Sequence, residues 1–420
     1  MSQPGGASTI DERLAAAGLP ALPRGGWLEI DLDALAGNVR AIAELVGAGV
    51  QVAPVVKSDA YGHGLEQSAR AFVEAGAARL CVASLEEALR LRAAGIGAPI
   101  VVLFMVPPAA VGEAVRAGVE LNAGDEAALR AVLEAWPALS RATGGELALH
   151  LEIETGLGRS GVLPARAAAA AAAIARAPRT RLAGVWSHLA SSEDQAASAA
   201  QVAAFESALE GIRGAGVDVP IRHLAASGGI FGGSAPAYEM VRPGLAAYGL
   251  LPEELTVADG ARAAAARLRP ALALKARPLR IEELPAGAGV GYGSRWRAAQ
   301  PTRVATLPLG YGDGYAKAYW PGGEALVRGR RVPIVGVVMM DVVVVDVSAI
   351  PDLTLYDEFV LLGRQGEHEI SANDLAHART TISWEVLTSM AQRIPRVYHR
   401  AAVPMAVRTL TGEVLPERTS

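Results

Sequence analysis

Residues 53–64, APVVKSDAYGHG, run an apolar segment into a single lysine and then into a polar, glycine-rich turn. Residues 52–56 are apolar throughout rather than at alternate positions, which reads as a parallel-sheet strand covered on both faces. In α/β folds the carboxyl end of such a strand opens into the crevice where ligands bind, and Lys57 stands there. Partial removal from water disfavours an ammonium, so Lys57 would be a free amine able to form a Schiff base with an aldehyde. A lysine lifting its charge out of a strand end is the ordinary alternative, and this stretch alone does not separate the two.

Working outward, the same kind of run recurs. PVVK (54–57), LCVAS (80–84), PIVVLF (99–104), VELNA (119–123), LALHLEIE (147–154), LAGVWSH (182–188), RHLAAS (222–227) and MVRPGLAAYG (240–249) are strand candidates, most of them separated by Ala/Glu/Arg-rich helical stretches. Eight βα repeats over about 200 residues match the count and length of a TIM-type barrel. An open doubly wound sheet is the rival, but no GxGxxG turn follows an early strand, so a dinucleotide fold has no support. After residue 266 helical segments nearly vanish, and short strands with glycine and proline punctuation take over. The predicted fold class is therefore α/β, with a TIM-type (β/α)8 barrel over residues 27–265 followed by a β-rich C-terminal domain over 266–420. Trp27 to Leu32 alternates like a strand and opens the barrel domain, leaving residues 1–26 as a flexible N-terminal arm. The alanine run 165–177, framed by Pro164 and Pro178, reads as one helix.

Composition narrows the function classes. With 420 residues two domains are expected, and a net charge of −4 without Lys/Arg blocks argues against nucleic acid or an anionic membrane as partner. A small-molecule ligand fits better. The single cysteine, Cys81, excludes an internal disulfide framework and fits a reducing, cytoplasmic compartment, and its setting in LCVA reads as inert core. The first 26 residues lack the basic start and continuous apolar stretch of a signal peptide. The longest apolar run, 335–345, is broken by Asp341 and falls short of the roughly 20 residues that span a bilayer.

On the barrel reading, several polar residues fall at carboxyl ends of strands, where barrel enzymes place their sites. Lys57 ends the first strand, Arg159 lies in ETGLGRSG after the fifth, and His188 ends the sixth. Ser227 ends the seventh and Arg242 lies in the eighth. Taken singly, these residues suit a surface charge, a satisfied core histidine and a turn serine. Their coincidence at one end of a barrel is what carries weight.

The segment VVKSDAYGHG resembles the pyridoxal-phosphate lysine motif of the alanine racemase family. VGYGSRW (290–296), LPLGYGDGY (307–315), VVMMD (337–341) and TISWEV (381–386) are similar to that family's successive signatures, so the resemblance spans about residues 27–400. It implies a homodimeric, cytoplasmic isomerase that binds pyridoxal 5′-phosphate and racemises alanine, supplying D-alanine, a peptidoglycan precursor. By that resemblance Lys57 holds the cofactor and Tyr292 is the second acid/base. Arg159 and the main chain at Met340 receive the substrate carboxylate, and Tyr311 lines the entrance. Tyr61 and Ser227 reach the phosphate with main-chain help from Gly244 and Leu245. Arg242 faces the pyridine nitrogen with His188 behind it, and an arginine there would oppose protonation of that nitrogen. Asp341, beside Met340, has a supporting role.

Two positions depart from the family pattern. Glu152 stands where the family often has a carbamylated lysine, and a permanent carboxylate there could hold Arg159. Trp384 stands where the family usually has tyrosine in a cofactor contact, and an indole is bulkier and only donates. Trp384 keeps a serine or broad-spectrum racemase in play. A barrel decarboxylase should carry a cysteine motif in its second domain, whereas Cys81 lies in the barrel. A non-enzymatic cofactor carrier would leave Tyr292 and the second domain unexplained.

Overall fold

A computed structural model describes residues 8–416. The chain divides into two compact units, one made of 34–60 with 65–269, the other of the residues up to 33 with 61–64 and 270 onward.

The first strand, β1 (Gly26–Asp31), belongs to the second of these units, and the following strands build the first. They are β2 (Gln51–Val52), β3 (Leu80–Val82), β4 (Ile100–Val102), β5 (Glu120–Ala123), β6 (Leu147–Glu152), β7 (Thr180–Trp186), β8 (Arg222–His223) and β9 (Met240–Val241). Strands β3 to β8 form a parallel sheet in sequence order. β2 pairs in parallel with β9, and the bridges Val55–Cys81 and Ala226–Arg242 join that pair to β3 and β8, closing the barrel. All eight sequence candidates contribute to it, the first of them shifted: its strand is Gln51–Val52, and of residues 54–57 Val55 pairs through a single bridge. The alanine run forms one helix, Pro164–Arg176, whose Ala167, Ala170, Ala171 and Ile174 are buried at helical spacing. Cys81 is fully buried, and burial pushes its thiol up to about 12, as inert core requires.

The barrel interior is not uniformly apolar. Residues two apart on a strand share a face, and Glu120 with Asn122, His150 with Glu152, and Gly184 with Trp186 follow that spacing on β5, β6 and β7. His150 on β6 bonds His223 on β8 across the intervening β7, with 2.9 Å between Nδ1 and Nε2. Gly184 makes this possible, because a Cβ there would lie 2.6 Å from His150 Nδ1.

In the other unit a nine-stranded sheet holds β1 between strand Leu272–Ala276, antiparallel, and strand Arg396–Arg400, parallel. A three-stranded sheet of Arg280–Leu284, Thr302–Leu307 and Val343–Asp346 accompanies it. Two expectations change here. Residues 27–33, read as the opening of the barrel domain, group with 270 onward, because a strand-then-helix pattern does not say which sheet takes the strand.

The expected loose arm over 1–26 is corrected for its described part. Helix Ile10–Ala16 is capped by Thr9 in a reciprocal capping box with Glu12. Its Ile10 and Leu14 are buried with Leu19, Trp27, Val397 and Val407. The signals were local, a Thr-x-x-Glu cap and an i, i+4 apolar pair. Residues 1–7 lie outside the described residues. No described helix is long and apolar enough to cross a membrane.

Candidate active site

Lys57 follows β2 at the carboxyl end of the barrel, and the backbone beyond it is unusual. Ser58, Asp59, Ala60 and Tyr61 have φ of 54°, 56°, 53° and 52°, a left-handed helical turn made without glycine. Each such residue costs roughly 1–2 kcal/mol, so surrounding bonds must hold the turn. Ala60 N–H donates to Val56 O at 2.9 Å, Ser58 N–H to Glu87 Oε1 at 2.6 Å, and Leu65 N–H to Asp59 Oδ1 at 3.0 Å. Gly62 and Gly64 are also at positive φ, and a Cβ on them would strike Leu387 O and Tyr398 Oη.

Burial lowers the Lys57 pKa below the ordinary lysine value, and the Arg159 charge lowers it further, with Glu87 acting the other way. Phe104, at the end of the PIVVLF run, lies under both cations: Lys57 Nζ is 6.0 Å and Arg159 Cζ 5.3 Å from its ring centre. Nothing in the sequence reading singled out Phe104; an aromatic at a barrel strand end was the available signal.

The expected pairing of Glu152 with Arg159 is present as one 3.3 Å contact from Nη2 to Oε1. The buried carboxylate has shorter partners: Ser160 Oγ donates to Oε1 at 2.9 Å and Asn122 Nδ2 to Oε2 at 2.7 Å. Gly124 leaves it room, since a Cβ there would lie 2.5 Å from Glu152 Oε2.

Arg242 is buried, and its hydrogen-bond partners are neutral. Nη1 donates to His223 Nδ1 at 2.7 Å and His223 O at 2.9 Å, and Nη2 donates to Ser187 O at 2.8 Å. His188 Nδ1 lies farther from Nη2, at 3.4 Å, so His223 is the closer support and one the sequence reading missed. Burial pushes the guanidinium down to about 10, which leaves it charged at neutral pH. Because Arg242 only donates, His223 must accept at Nδ1 and carry its proton on Nε2, toward His150 Nδ1. His150 Nε2 then donates to Glu120 Oε2 at 3.0 Å. Arg79 and Arg181 also pair with Glu120. Burial raises the Glu120 pKa, but His150 and the arginines outweigh it and bring the group down to about 2. Burial and the neighbouring Arg242, Arg159 and Lys57 charges push His188 down to about 3, so it is neutral.

Ser227 Oγ accepts from Gly244 N–H at 3.0 Å and Ala246 N–H at 3.1 Å, tying together the turns after β8 and β9. Gly244 thus directs its amide to Ser227, and the next residue, Leu245, begins a short 3-10 turn. A Cβ on Gly228 would strike Ser192 Oγ, so glycine there lets the start of helix Ser227–Gly232 pack closely against Ser192.

Among residues of the β-rich unit, Tyr311, Met340 and Asp341 come together. Tyr311 N–H donates to Met339 O at 3.0 Å, Gly312 N–H to Met340 O at 2.9 Å, and Arg393 Nη2 to Asp341 at 2.7 Å. Buried Asp313 anchors this turn, accepting from Arg393 at 2.8 Å and from Arg24 at 2.6 Å. Tyr292 lies on a turn between Gly291 and Gly293 and is 75% exposed. Trp384 is half-buried on helix Ser383–Thr388, and Tyr61 is buried at the end of the left-handed turn.

Comparison with known proteins gives consistent findings. The family model described as alanine racemase, N-terminal domain, matches residues 30–252, and the one described as alanine racemase, C-terminal domain, matches 271–398. The alanine racemase of Thermobifida fusca is 40% identical over 374 residues, 88% of this chain and 96% of that protein. The crystal structure of the Bacillus anthracis alanine racemase with bound L-Ala-P superposes with a TM-score of 0.85 at 32% identity, covering 93% of this chain and 99% of that one. The Bartonella henselae alanine racemase with covalently bound pyridoxal phosphate gives 0.76 at 26% identity, covering 90% and 100%.

Proposed function

The chain belongs to the alanine racemase family, and on that premise we propose that it interconverts L- and D-alanine with pyridoxal 5′-phosphate held by Lys57 at the barrel mouth. The observation that carries the reading is that one barrel mouth pairs a lysine of lowered pKa with a buried arginine whose hydrogen-bond partners include no carboxylate.

The residues present fit the cofactor. Ser227 accepts two backbone N–H groups, which leaves its own proton to donate to a phosphate. Bound there, pyridoxal phosphate supplies an electron sink that makes the Cα proton of an amino acid acidic. Arg242, charged at neutral pH, would oppose protonation of the cofactor's ring nitrogen if it held that end, which would disfavour decarboxylation or elimination.

Racemisation needs a base on one face of Cα and an acid on the other. Lys57, with its lowered pKa, moves the proton on one face. Tyr292 serves the other, and its exposure in a single chain suits a side chain that works in a second copy of a homodimer. Arg159 receives the substrate carboxylate together with the Met340 main chain, and Glu152 holds Arg159. Tyr61 and Trp384 contribute to cofactor retention, and Tyr311 narrows the entrance. The same reading takes the enzyme to be cytoplasmic, as the resemblance implies, and a single cysteine forms no internal disulfide.

Trp384, bulkier than tyrosine, favours the second reading, a serine or broader amino-acid racemase. A screen of amino acids following both enantiomer formation and carbon dioxide release tests both. Fastest turnover of alanine without carbon dioxide is expected. Preference for serine supports the second reading, and carbon dioxide release would overturn racemisation as the main activity.

A further inference from the structure

Resting on the roles just given to Arg159 and Arg242, we propose that Trp186 is a positioning residue for the substrate carboxylate, orienting Arg159 through Asn122 and Glu152 while its ring face carries Arg242.

Arg159 is 36% exposed at its side chain, with the Phe104 ring under its guanidinium and one 3.3 Å bond to Glu152, the polar contact that aims it. Glu152 is 3% exposed, and Asn122 Nδ2 fixes its Oε2 at 2.7 Å. An asparagine amide has two ends of similar shape, and its orientation is decided by its neighbours. The indole N–H of Trp186 only donates, and it lies 3.0 Å from Asn122 Oδ1. That donor anchors the oxygen end, while the NH2 bonds Glu152 and Leu103 O, 3.0 Å away, so the amide is held from both ends. On its other side, the Trp186 ring lies 4.7 Å from Arg242 Cζ and is parallel to the His223 ring. One buried indole therefore touches the arginine assigned to the cofactor ring and, through two hydrogen bonds, the partner of the arginine assigned to the substrate.

A tryptophan that merely fills the barrel would act on stability alone. The line of bonds predicts a different result for Trp186→Phe, which keeps a ring face and removes the N–H. The experiment measures KM and kcat for L-alanine on the intact enzyme as purified, with calorimetric binding of propionate, a carboxylate without an amine. Trp186→Phe should raise both KM and the propionate dissociation constant about three- to tenfold, the worth of one hydrogen bond, with kcat within about twofold. Glu152→Gln should do at least as much, and the double variant should be no worse than Glu152→Gln, because both act on one line. Unchanged KM and propionate binding in Trp186→Phe, or effects that multiply in the double variant, would overturn the proposal. Should Trp186→Phe fail to fold, Asn122→Ser cuts the same line and is read in the same way. Arg159→Lys separates the layers: if it leaves propionate binding unchanged, the role of Arg159 itself fails. If it weakens binding while Trp186→Phe does not, only the relay fails.

Discussion

Nη1 of Arg242 lies 2.7 Å from Nδ1 of His223, so this buried histidine presents a lone pair to a guanidinium and stays neutral. The same constraint passes to His150, whose Nδ1 accepts from His223 and whose Nε2 donates to Glu120. Arg242 is thereby braced by a line of groups running through the barrel to Arg79 and Arg181.

Stability should fall with acid. Burial, and for His188 and His223 the Arg242 charge, hold the pKa values of His150, His188 and His223 below 6.5 in the folded chain. Below pH 6.5 the unfolded chain binds protons that the folded chain refuses, so folding loses ground as pH drops toward about 3, where His188 titrates. Each histidine contributes at most about 1.4 kcal/mol per pH unit in that window, and nothing above it. Denaturant midpoints from pH 8 to pH 5 check this; a midpoint that stays flat below 6.5 contradicts it.

Lys57→Ala should abolish covalent attachment of the cofactor. Borohydride reduction of the native protein followed by peptide mapping should label Lys57. Label on Lys275, which pairs with Glu29 at 2.8 Å, or on Lys317 would remove the barrel-mouth assignment.

Activity should be insensitive to added bicarbonate, because Glu152 is a permanent carboxylate where the family often needs a carbamylated lysine. Glu152→Gln should raise KM for alanine by about tenfold, the loss of a charge-assisted bond. An unchanged KM would mean that Glu152 serves only Asn122 and Ser160.

Gly64→Ala should destabilise the chain by at least about 2 kcal/mol, since φ is +101° and its Cβ would strike Tyr398 Oη. Gly95→Ala, at φ +79° with open space around it, should cost only about 1 kcal/mol. Thermal midpoints of the two variants compare them directly, and equal shifts would deny the close approach.

A Lys57→Ala chain and a Tyr292→Phe chain, each nearly inactive, should complement when co-assembled, if each site takes the partner's Tyr292. In a two-fold dimer a mixed pair has one intact site, so random assembly should restore roughly a quarter of wild-type activity. Mixed dimers without recovery would assign Tyr292 to its own chain or remove it from the reaction.

The sequence by itself determined the barrel and the residues at its mouth. Strand candidates with helical stretches between them are local patterns, and Lys57, Arg159, His188, Ser227 and Arg242 are legible because a strand's end is visible in its own run. The capping box at Thr9 was equally local and equally legible. Tertiary structure decided what depends on partners distant in the chain. β1 joins strand 272–276 because pairing across such a separation leaves no local mark. His150 and His223, 73 residues apart, meet only because Gly184 leaves space on the strand between them. Asn122 and Trp186 read as members of apolar runs until a closed barrel turned their faces inward, where a buried polar group must find a partner. The left-handed turn after Lys57 is a backbone state that its own residues disfavour and the surrounding bonds impose.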